Sequence, residues 1–548
     1  MNQATTLCAA FQRTAAARPD ATALRMHGVE GGFSWRQYAH EVERIAGGLA
    51  NLGVARGDTV ATMLTNRPEF NLAETAASHL GAATFSVYNT SSPEQLRFLL
   101  TDAGARVIVT ERAFADQIRA AGAPVDHILV LEDGDLERLS PADDFDFEVA
   151  WQAVRPEDVL CLIYTSGTTG DPKGVELTHA NMLALAEQIV AVFPIGPDDI
   201  GVSYLPSAHI ADRGMGHYFV NIYGAEVTCV PDLKALAEVL PVVRPTFFVA
   251  VPRVWEKLKF SVDARLAAQP EVEVAFEAGN EQVAGGLRAA LGFDRLNWAL
   301  TGGGAVPPDV YDFLTRLGVP LSEAWGMSEC GLGSGAAPGV AKHGSIGPVL
   351  PGMEAKVLED GELLVRGPNV MRGYRGRPQQ TAEAVDADGW LHTGDVVTMD
   401  DEGYITIIDR KKELIISAAG KNMSPSNIEN VIKQVSPLIG QLTVIGDGKP
   451  YNIALVVLDH EVVAAQGMAD DPAELAESES IRKLVNEAVE AGNSRLSRAE
   501  QVKRYTILPT FWEPGGEEVT ATMKLRRRNI SAKYAEQIEQ LYAQPRDQ

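Results

Sequence analysis

The sequence predicts an α/β fold: a large N-terminal domain of several subdomains, with parallel-type sheets covered by helices, and a small α+β domain at the C-terminus. Three observations predict it. Helical and strand-like patterns alternate through the first 150 residues. The alternation continues from 159 to about 408 with more glycine and proline. At 409 a charged run, Asp409-Arg410-Lys411-Lys412-Glu413, introduces a stretch of different character. Strands that alternate with helices suit parallel sheets, because each parallel connection needs a crossover, usually a helix.

Ser34 is placed to cap a helix whose apolar residues are Trp35, Tyr38, Val42, Ile45, Leu49 and Leu52. Steps of three and four put these on one face. Gly53 ends the helix, and Val60 to Leu64 reads as a strand. The unit then recurs. Ser92-Pro93-Glu94 opens a helix through Leu96 and Leu99, Gly104 stops it, and Arg106 to Thr110 is a strand. The acidic segment from Glu132 to Asp146 reads as a surface loop. Past the charged run, Gln441–Ile445 and Ile453–Leu458 read as paired strands around Gly446-Asp447-Gly448-Lys449-Pro450. The acidic stretch from Asp470 to Glu479 reads as a solvated helix face or loop.

Composition bounds the function. The chain has 548 residues, 45% hydrophobic and 22% charged, as a globular protein of several compact units has. The net charge of −25 argues against nucleic acid as a partner and against broad adhesion to anionic membranes. An anionic substrate would need a local cluster of donors. The four cysteines (Cys8, Cys161, Cys229, Cys330) are far apart, with no C-x-x-C pair, so no metal site or disulfide framework follows and a reducing cytoplasm fits. The first twelve residues lack the basic and apolar regions of a secretion signal, and no apolar run is long enough to span a membrane.

One stretch carries most of the chemistry: Tyr164-Thr165-Ser166-Gly167-Thr168-Thr169-Gly170-Asp171-Pro172-Lys173-Gly174. Apolar residues lead in (Val159 to Ile163) and out (Val175-Glu176-Leu177), so it reads as strand, loop, strand. Glycines let successive N–H groups converge on one anion, and hydroxyls with a lysine add donors that phosphate oxygens accept. Lys173 is preceded by Pro172 and followed by Gly174, so this is not the G-x-x-x-x-G-K-[ST] phosphate loop that opens a helix. The plain alternative is a polar hairpin turn.

This stretch resembles the phosphate-binding signature of the adenylate-forming superfamily: acyl- and aryl-CoA synthetases, luciferases and peptide-synthetase adenylation domains. Further motifs of that superfamily follow in order. Thr301-Gly302-Gly303-Gly304-Ala305 follows a short apolar strand, Leu296 to Leu300, and its glycines permit close approach of a flat ligand such as adenine. Glu323-Ala324-Trp325-Gly326-Met327-Ser328-Glu329-Cys330 resembles the aromatic-Gly-x-Thr-Glu motif. The resemblance implies that Trp325 stacks on adenine, with Gly326 and Met327 beside it, that Ser328 donates to the α-phosphate, and that Glu329 holds Mg²⁺, with Thr168 a second candidate ligand. Cys330 reads as a small buried apolar side chain, since no His lies near it in sequence. Gly389-Trp390-Leu391-His392-Thr393-Gly394-Asp395 implies that Asp395 accepts from both ribose hydroxyls. Arg410 resembles a second ribose or phosphate contact. Lys412 occupies the hinge position, and Gly420, in Ser417-Ala418-Ala419-Gly420-Lys421, the pantetheine tunnel. Thr520-Ala521-Thr522-Met523-Lys524 resembles the motif of the catalytic lysine, Lys524.

The resemblance implies three chain regions: 1–408, binding ATP and acyl group; a hinge, 409–412; and a small mobile domain, 413–548, carrying Lys524 and Gly420. It implies two half-reactions with ATP and CoA as co-substrates. A carboxylate attacks the α-phosphorus of ATP, giving acyl-AMP and pyrophosphate; a thiol then takes the acyl group. Leu205-Pro206-Ser207-Ala208-His209 and Val251-Pro252-Arg253-Val254-Trp255 resemble segments of long-chain fatty acid CoA ligases. His209 is therefore a catalytic and acyl-pocket candidate, and Trp255 and Gly331 are acyl-pocket candidates, although core packing explains His209 and Trp255 as well. The acid expected is a medium- to long-chain fatty acid, and the resemblance leaves room for a homodimer and for peripheral membrane contact. Two other readings stand beside this one: transfer of the acyl group to a carrier protein, and a non-catalytic nucleotide-binding regulator.

Overall fold

The starts of the predicted helices are closed by side chains that are near in sequence. In the computed structural model, which describes residues 4–165, 171–416, 422–468, 471–513, 515–520 and 523–543, the helix Trp35–Asn51 starts at a reciprocal capping box between Ser34 and Gln37. Ser92 and Gln95 do the same for Pro93–Ala103, which Gly104 ends in a left-handed conformation. Each box satisfies two backbone donors that a helix start otherwise leaves unpaired.

These helices cover a sheet whose strands are β1 (Thr59–Met63), β2 (Ala83–Ser86), β3 (Ala105–Thr110), β4 (His127–Val130), β5 (Val159–Thr165) and β6 (Lys173–Thr178). Their order is β6–β5–β2–β1–β3–β4. All neighbours run parallel except β5 and β6, the antiparallel pair that carries the phosphate-loop stretch. Every residue of β1 is buried, as a strand covered on both faces should be. A second sheet pairs β7 (Phe247–Ala250), β8 (Trp298–Thr301) and β9 (Leu321–Met327) in parallel, then β10 (Gly331–Gly335) antiparallel. The strand β11 (Gly373–Tyr374) returns to the first sheet and pairs antiparallel with β6.

The acidic segment 132–146 is the surface loop that its charge predicts, anchored at two points. Leu136 and Leu139 are buried. Arg44 donates to the carbonyls of Leu136, Glu137 and Leu139. A methyl group added at Gly47 or Gly48 would lie 2.4 Å from Pro141 or Leu139, so the two helix glycines admit this segment. The two leucines anchor a segment whose other residues are exposed or half-buried.

The chain divides into two compact units. One comprises 1–356, 364–392 and 399–406; the other comprises 357–363, 393–398 and 407–548. The second thus draws in two short segments that precede the predicted boundary at 408. Its sheet consists of β12 (Ile439–Ile445), β13 (Asn452–Leu458) and β14 (Val502–Ile507), with β13 central, antiparallel to β12 and parallel to β14. All seven residues of β13 are buried. Its Ala454, Val456 and Leu458 share one core with Ile428, Ile432 and Val485, and its Ile453, Leu455 and Val457 share another with Trp512, Ile530 and Tyr534.

The charged run at 409–413 is not a solvated link. Asp409 is buried and accepts hydrogen bonds from Ser424 Oγ (2.5 Å) and from the backbone N–H and Oγ of Ser426. Lys411 pairs with Asp360 and Glu362, and Glu413 with Arg527. Five charges in five residues look solvated in sequence; here, partners brought from both sides hold four of them, Arg410 through Asp395. Among the described residues no helix is long and apolar enough to cross a membrane.

Candidate active site

In the N-terminal unit, the β5–β6 pair sets Thr165 opposite Lys173 and Tyr164 opposite Gly174. Glycine at 174 is required by a close approach: a methyl group there would lie 2.9 Å from the Tyr164 ring. Tyr164 donates to Asp102 Oδ2 (2.8 Å), and Asp102 also pairs with Arg377 (2.8 Å). Arg375 pairs with Glu176 (3.0 Å) on β6. The run Arg372-Gly373-Tyr374-Arg375-Gly376-Arg377 therefore fastens the outer edge of the loop-bearing strands. Ser166, Gly167, Thr168, Thr169 and Gly170 lie outside the described residues.

Tyr374 links two of the predicted site residues. Its ring lies under the Lys173 ammonium, 4.8 Å from nitrogen to ring centroid. Its hydroxyl donates to Glu329 Oε1 at 2.7 Å. Burial, with the Glu329 charge beside it, holds the Tyr374 hydroxyl far above the usual tyrosine range, so it stays a donor. Glu329 is 93% buried by this geometry, being only 7% exposed. It sits with Ser328 and Cys330 in the turn joining β9 to β10. Gly326 and Gly331 make that hairpin close: a methyl group on Gly326 would lie 2.3 Å from the Gly331 carbonyl, and one on Gly331 (φ +66°) equally near the Leu185 side chain. Cys330 is buried, as its sequence context predicts.

The β8–β9 register sets Thr301 opposite Glu323, which brings Gly302 beside Ala324, 3.1 Å from the Ala324 carbonyl to a methyl group added at Gly302. The triple-glycine turn and the Trp325–Glu329 motif are thus neighbours in space. Gly303 and Gly304 are exposed there, Gly326 is exposed and Met327 is half-buried. Trp325 itself is buried, its ring packed where Gly333 leaves room. His209 is half-buried and its Nδ1 accepts from the Ala211 N–H at 3.2 Å, capping a helical turn. Trp255 is fully buried against Phe248 and Phe293, inside the core of the β7–β8–β9 sheet.

Sequence reasoning missed Tyr374, and it missed the buried pair Arg213–Glu74, in which both side chains are fully buried. Arg213 also donates to Thr84 Oγ1 (2.7 Å), and Glu74 accepts from Tyr218. Burial raises the Glu74 carboxyl and the Arg213 charge opposes that rise. A signal existed: Glu74 is one of two acids in the helix Pro68–His79, where all but Glu69 is buried.

In the C-terminal unit, Asp395 is buried and pairs with Arg410 Nε at 2.7 Å. Arg410 also donates to the Thr393 carbonyl, and Thr393 Oγ1 accepts from the Asp395 N–H (3.1 Å) while donating to the Leu363 carbonyl (2.6 Å). Lys524 is exposed at the end of a tight turn. The Thr520 N–H donates to the Lys524 carbonyl, the Lys524 N–H donates to Thr520 Oγ1 (3.0 Å), and Met523 takes a left-handed φ of +62°. Desolvation and the Arg410 charge hold the Lys524 ammonium below the usual lysine range, against Asp395 and Glu413. Three residues on, Arg527 pairs with both Glu429 and Glu413. Lys412 is exposed, and Gly420 lies outside the described residues.

Residues 11–375 match the family model of AMP-binding enzymes, and residues 412–546 match that of the AMP-binding enzyme C-terminal domain. The chain belongs to the AMP-binding enzyme family. This AMP-binding enzyme is 47% identical over 444 residues to a Mycobacterium tuberculosis protein that carries the name fatty-acid–CoA ligase fadD11, covering 75% of this chain and 78% of the relative. It is 32% identical over 565 residues to the long-chain-fatty-acid–CoA ligase FadD15 of the same species, covering 92% and 91%. Among solved structures, the adenylation domain of a carboxylate reductase from Mycobacterium chelonae superposes with a TM-score of 0.79 at 22% identity, over 98% of this chain and 91% of that one. That similarity establishes the fold.

The AMP-binding enzyme offers one hard oxygen donor where Mg²⁺ is expected. Among the described residues no group of three or more His, Cys, Asp and Glu forms a cage. Glu329 fits a metal held mainly by phosphate oxygens, since Mg²⁺ is commonly bound by one or two carboxylates plus substrate phosphates.

Proposed function

We propose that this chain is an AMP-forming fatty acid–CoA ligase. The observation that carries the reading is the similarity, over nine-tenths of both chains, to a relative named a long-chain-fatty-acid–CoA ligase. The two groups of site residues support it, because the first half-reaction asks for what they provide. A fatty acid carboxylate oxygen forms a bond to the α-phosphorus of ATP, and the bond from that phosphorus to the bridging oxygen breaks, releasing pyrophosphate. Two anions meet, so positioning and charge stabilisation outweigh acid–base work.

Lys173 and the hydroxyls of the loop it closes hold the β- and γ-phosphates, the part of ATP that leaves. Ser328 donates to the α-phosphate. Glu329 is the residue that would hold Mg²⁺, with Thr168 a second ligand; the ion, when bound, offsets phosphate charge. Trp325 and Gly302–Gly304 border the adenine, and Asp395 with Arg410 takes the ribose. Lys524 offsets charge where carboxylate and α-phosphate meet. In the second half-reaction the CoA thiolate attacks the acyl carbonyl and AMP leaves, and Gly420 keeps the pantetheine path open. Lys412 is the hinge by which the C-terminal unit, nominally 413–548, presents first Lys524 and then Gly420. His209, Trp255 and Gly331 border the acyl group. We assign the reaction to the cytoplasm, a reducing compartment that suits four buried cysteines without disulfides. A homodimer and peripheral membrane contact belong to the same reading.

The test is AMP release across a series of saturated acids, from acetate to a twenty-carbon acid, with and without CoA. CoA-dependent release that peaks at medium or long chains is expected. Release indifferent to CoA would shift the reading to transfer onto a carrier protein. No release with any acid would overturn it in favour of a nucleotide-binding regulator.

A further inference from the structure

We infer that Tyr374 is a positioning residue that keeps the phosphate-loop lysine and the metal-site carboxylate apart and ready. The inference rests on the ligase reading above. Lys173 and Glu329 carry opposite charges and both contact one tyrosine: its ring takes the ammonium, 4.8 Å from the centroid, and its hydroxyl donates to Glu329 Oε1 at 2.7 Å. Two opposite charges this close in a partly desolvated site would otherwise pair with each other and be lost to the substrate. Tyrosine suits the intervening position because it is neutral, its face attracts a cation and its edge donates to an anion. Phenylalanine could hold only the lysine, and serine only the carboxylate.

The frame around Tyr374 is stiff. It lies on β11, hydrogen-bonded along β6, and the Tyr374 N–H donates to Thr381 Oγ1 (2.9 Å). Arg375 and Arg377, on either side of Gly376, pair with Glu176 and Asp102. The Met371 N–H donates to the Glu329 carbonyl (2.7 Å), so the same segment holds the carboxylate-bearing turn from its backbone as well. With Oε1 engaged by the hydroxyl, the other carboxylate oxygen, Oε2, is the one left to the metal. The ammonium rests on a ring face, and among the described residues its transfer to a phosphate oxygen breaks no ion pair.

The two contacts can be removed separately. ATP binding is measured by calorimetry on the full chain, in Mg²⁺ and in EDTA, for wild type, Tyr374→Phe and Tyr374→Leu. Tyr374→Phe keeps the ring and loses the hydroxyl. It is expected to weaken ATP binding about tenfold in Mg²⁺ and to leave binding in EDTA unchanged, the size of one hydrogen bond to a charged group. Tyr374→Leu loses both contacts and is expected to weaken binding in both buffers. Adding Glu329→Gln to Tyr374→Phe should cost no more in Mg²⁺ than Glu329→Gln alone, because both remove one interaction. Equal weakening by Tyr374→Phe in both buffers would reduce Tyr374 to a structural role. Unchanged binding in both, with a wild type that binds ATP better in Mg²⁺, would overturn the inference alone. A wild type that binds no ATP in either buffer would overturn the ligase reading and this inference with it.

Discussion

The two units hold their charged site residues in opposite ways. In the N-terminal unit Lys173 and Glu329 meet through a neutral intermediary, Tyr374. In the C-terminal unit the charges meet directly: Arg410 on Asp395, Arg527 on Glu429 and Glu413, Lys411 on Asp360 and Glu362. The lysine of greatest interest there, Lys524, is the exception, exposed and repelled by Arg410. The lesson concerns which charge is kept for substrate. Of the lysines assigned to phosphate, Lys173 rests on a ring face and Lys524 is exposed beside Arg410, whereas Asp395 and Arg410, assigned to the uncharged ribose, pair with each other.

The comparison is broken most severely at Lys524. Lys524→Ala should lower acyl-adenylate formation about a thousandfold, the scale of removing one preorganised electrostatic group. Pyrophosphate exchange reports that step. Thioester formation from supplied acyl-AMP should persist, and equal loss of both steps would show that Lys524 does not act in adenylation alone. Next in size is Arg527→Ala, which leaves Glu429 buried without its partner and should cost the C-terminal unit about 3–5 kcal/mol. Chemical denaturation should show that unit unfolding earlier, and an unchanged profile would mean that these direct pairs hold nothing in place. Lys173→Ala should weaken ATP use in the first half-reaction about tenfold, as loss of a charge-assisted phosphate contact does, and spare the second. Loss of thioester formation from preformed acyl-AMP would show that the loop does more than hold the leaving group.

The smallest expected effect separates the units by pH. His79, His179 and His217 are buried in the N-terminal unit, and desolvation lowers them to about 4, about 3 and about 3. Their ordinary value is 6.5, so the unfolded chain binds protons between there and pH 4 that the folded chain refuses. Stability is therefore full above about pH 6.5 and falls as pH drops through that window. His79→Gln should flatten the fall in melting temperature between pH 6.5 and 4.5 by a few degrees. A slope identical to wild type would remove His79 from the account.

The elements of the fold were legible where local chemistry decides them. Caps at Ser34 and Ser92, the stop at Gly104, the β5–β6 pair and the β12–β13 hairpin all stand within one or two residues of their sequence-based bounds. Segment 132–146 is the surface loop its composition indicates, but net charge describes a segment without its partners and so shows neither the anchors of that loop nor the contacts of the run 409–413. Two leucines and the Gly47–Gly48 gap anchor the first, and Ser424, Glu362 and Arg527 absorb the second. Trp255 shows the converse limit. Its sequence context leaves the acyl pocket and core packing both open, and in the structure its ring packs against Phe248 and Phe293.

The sequence by itself determined the motif order, the helix and strand boundaries, the residues fit for phosphate, ribose and metal, and the family they resemble. Each of those depends on residue type at short spacing, which the chain carries wherever it goes. Only the tertiary structure decided that β11 returns some 200 residues later to lie along β6, that Tyr374 stands between Lys173 and Glu329, and that Arg213 finds Glu74 in a helix far earlier in the chain. These are long-range pairings. They form because buried charges and strand edges must find partners, and no local pattern records which partner the fold supplies.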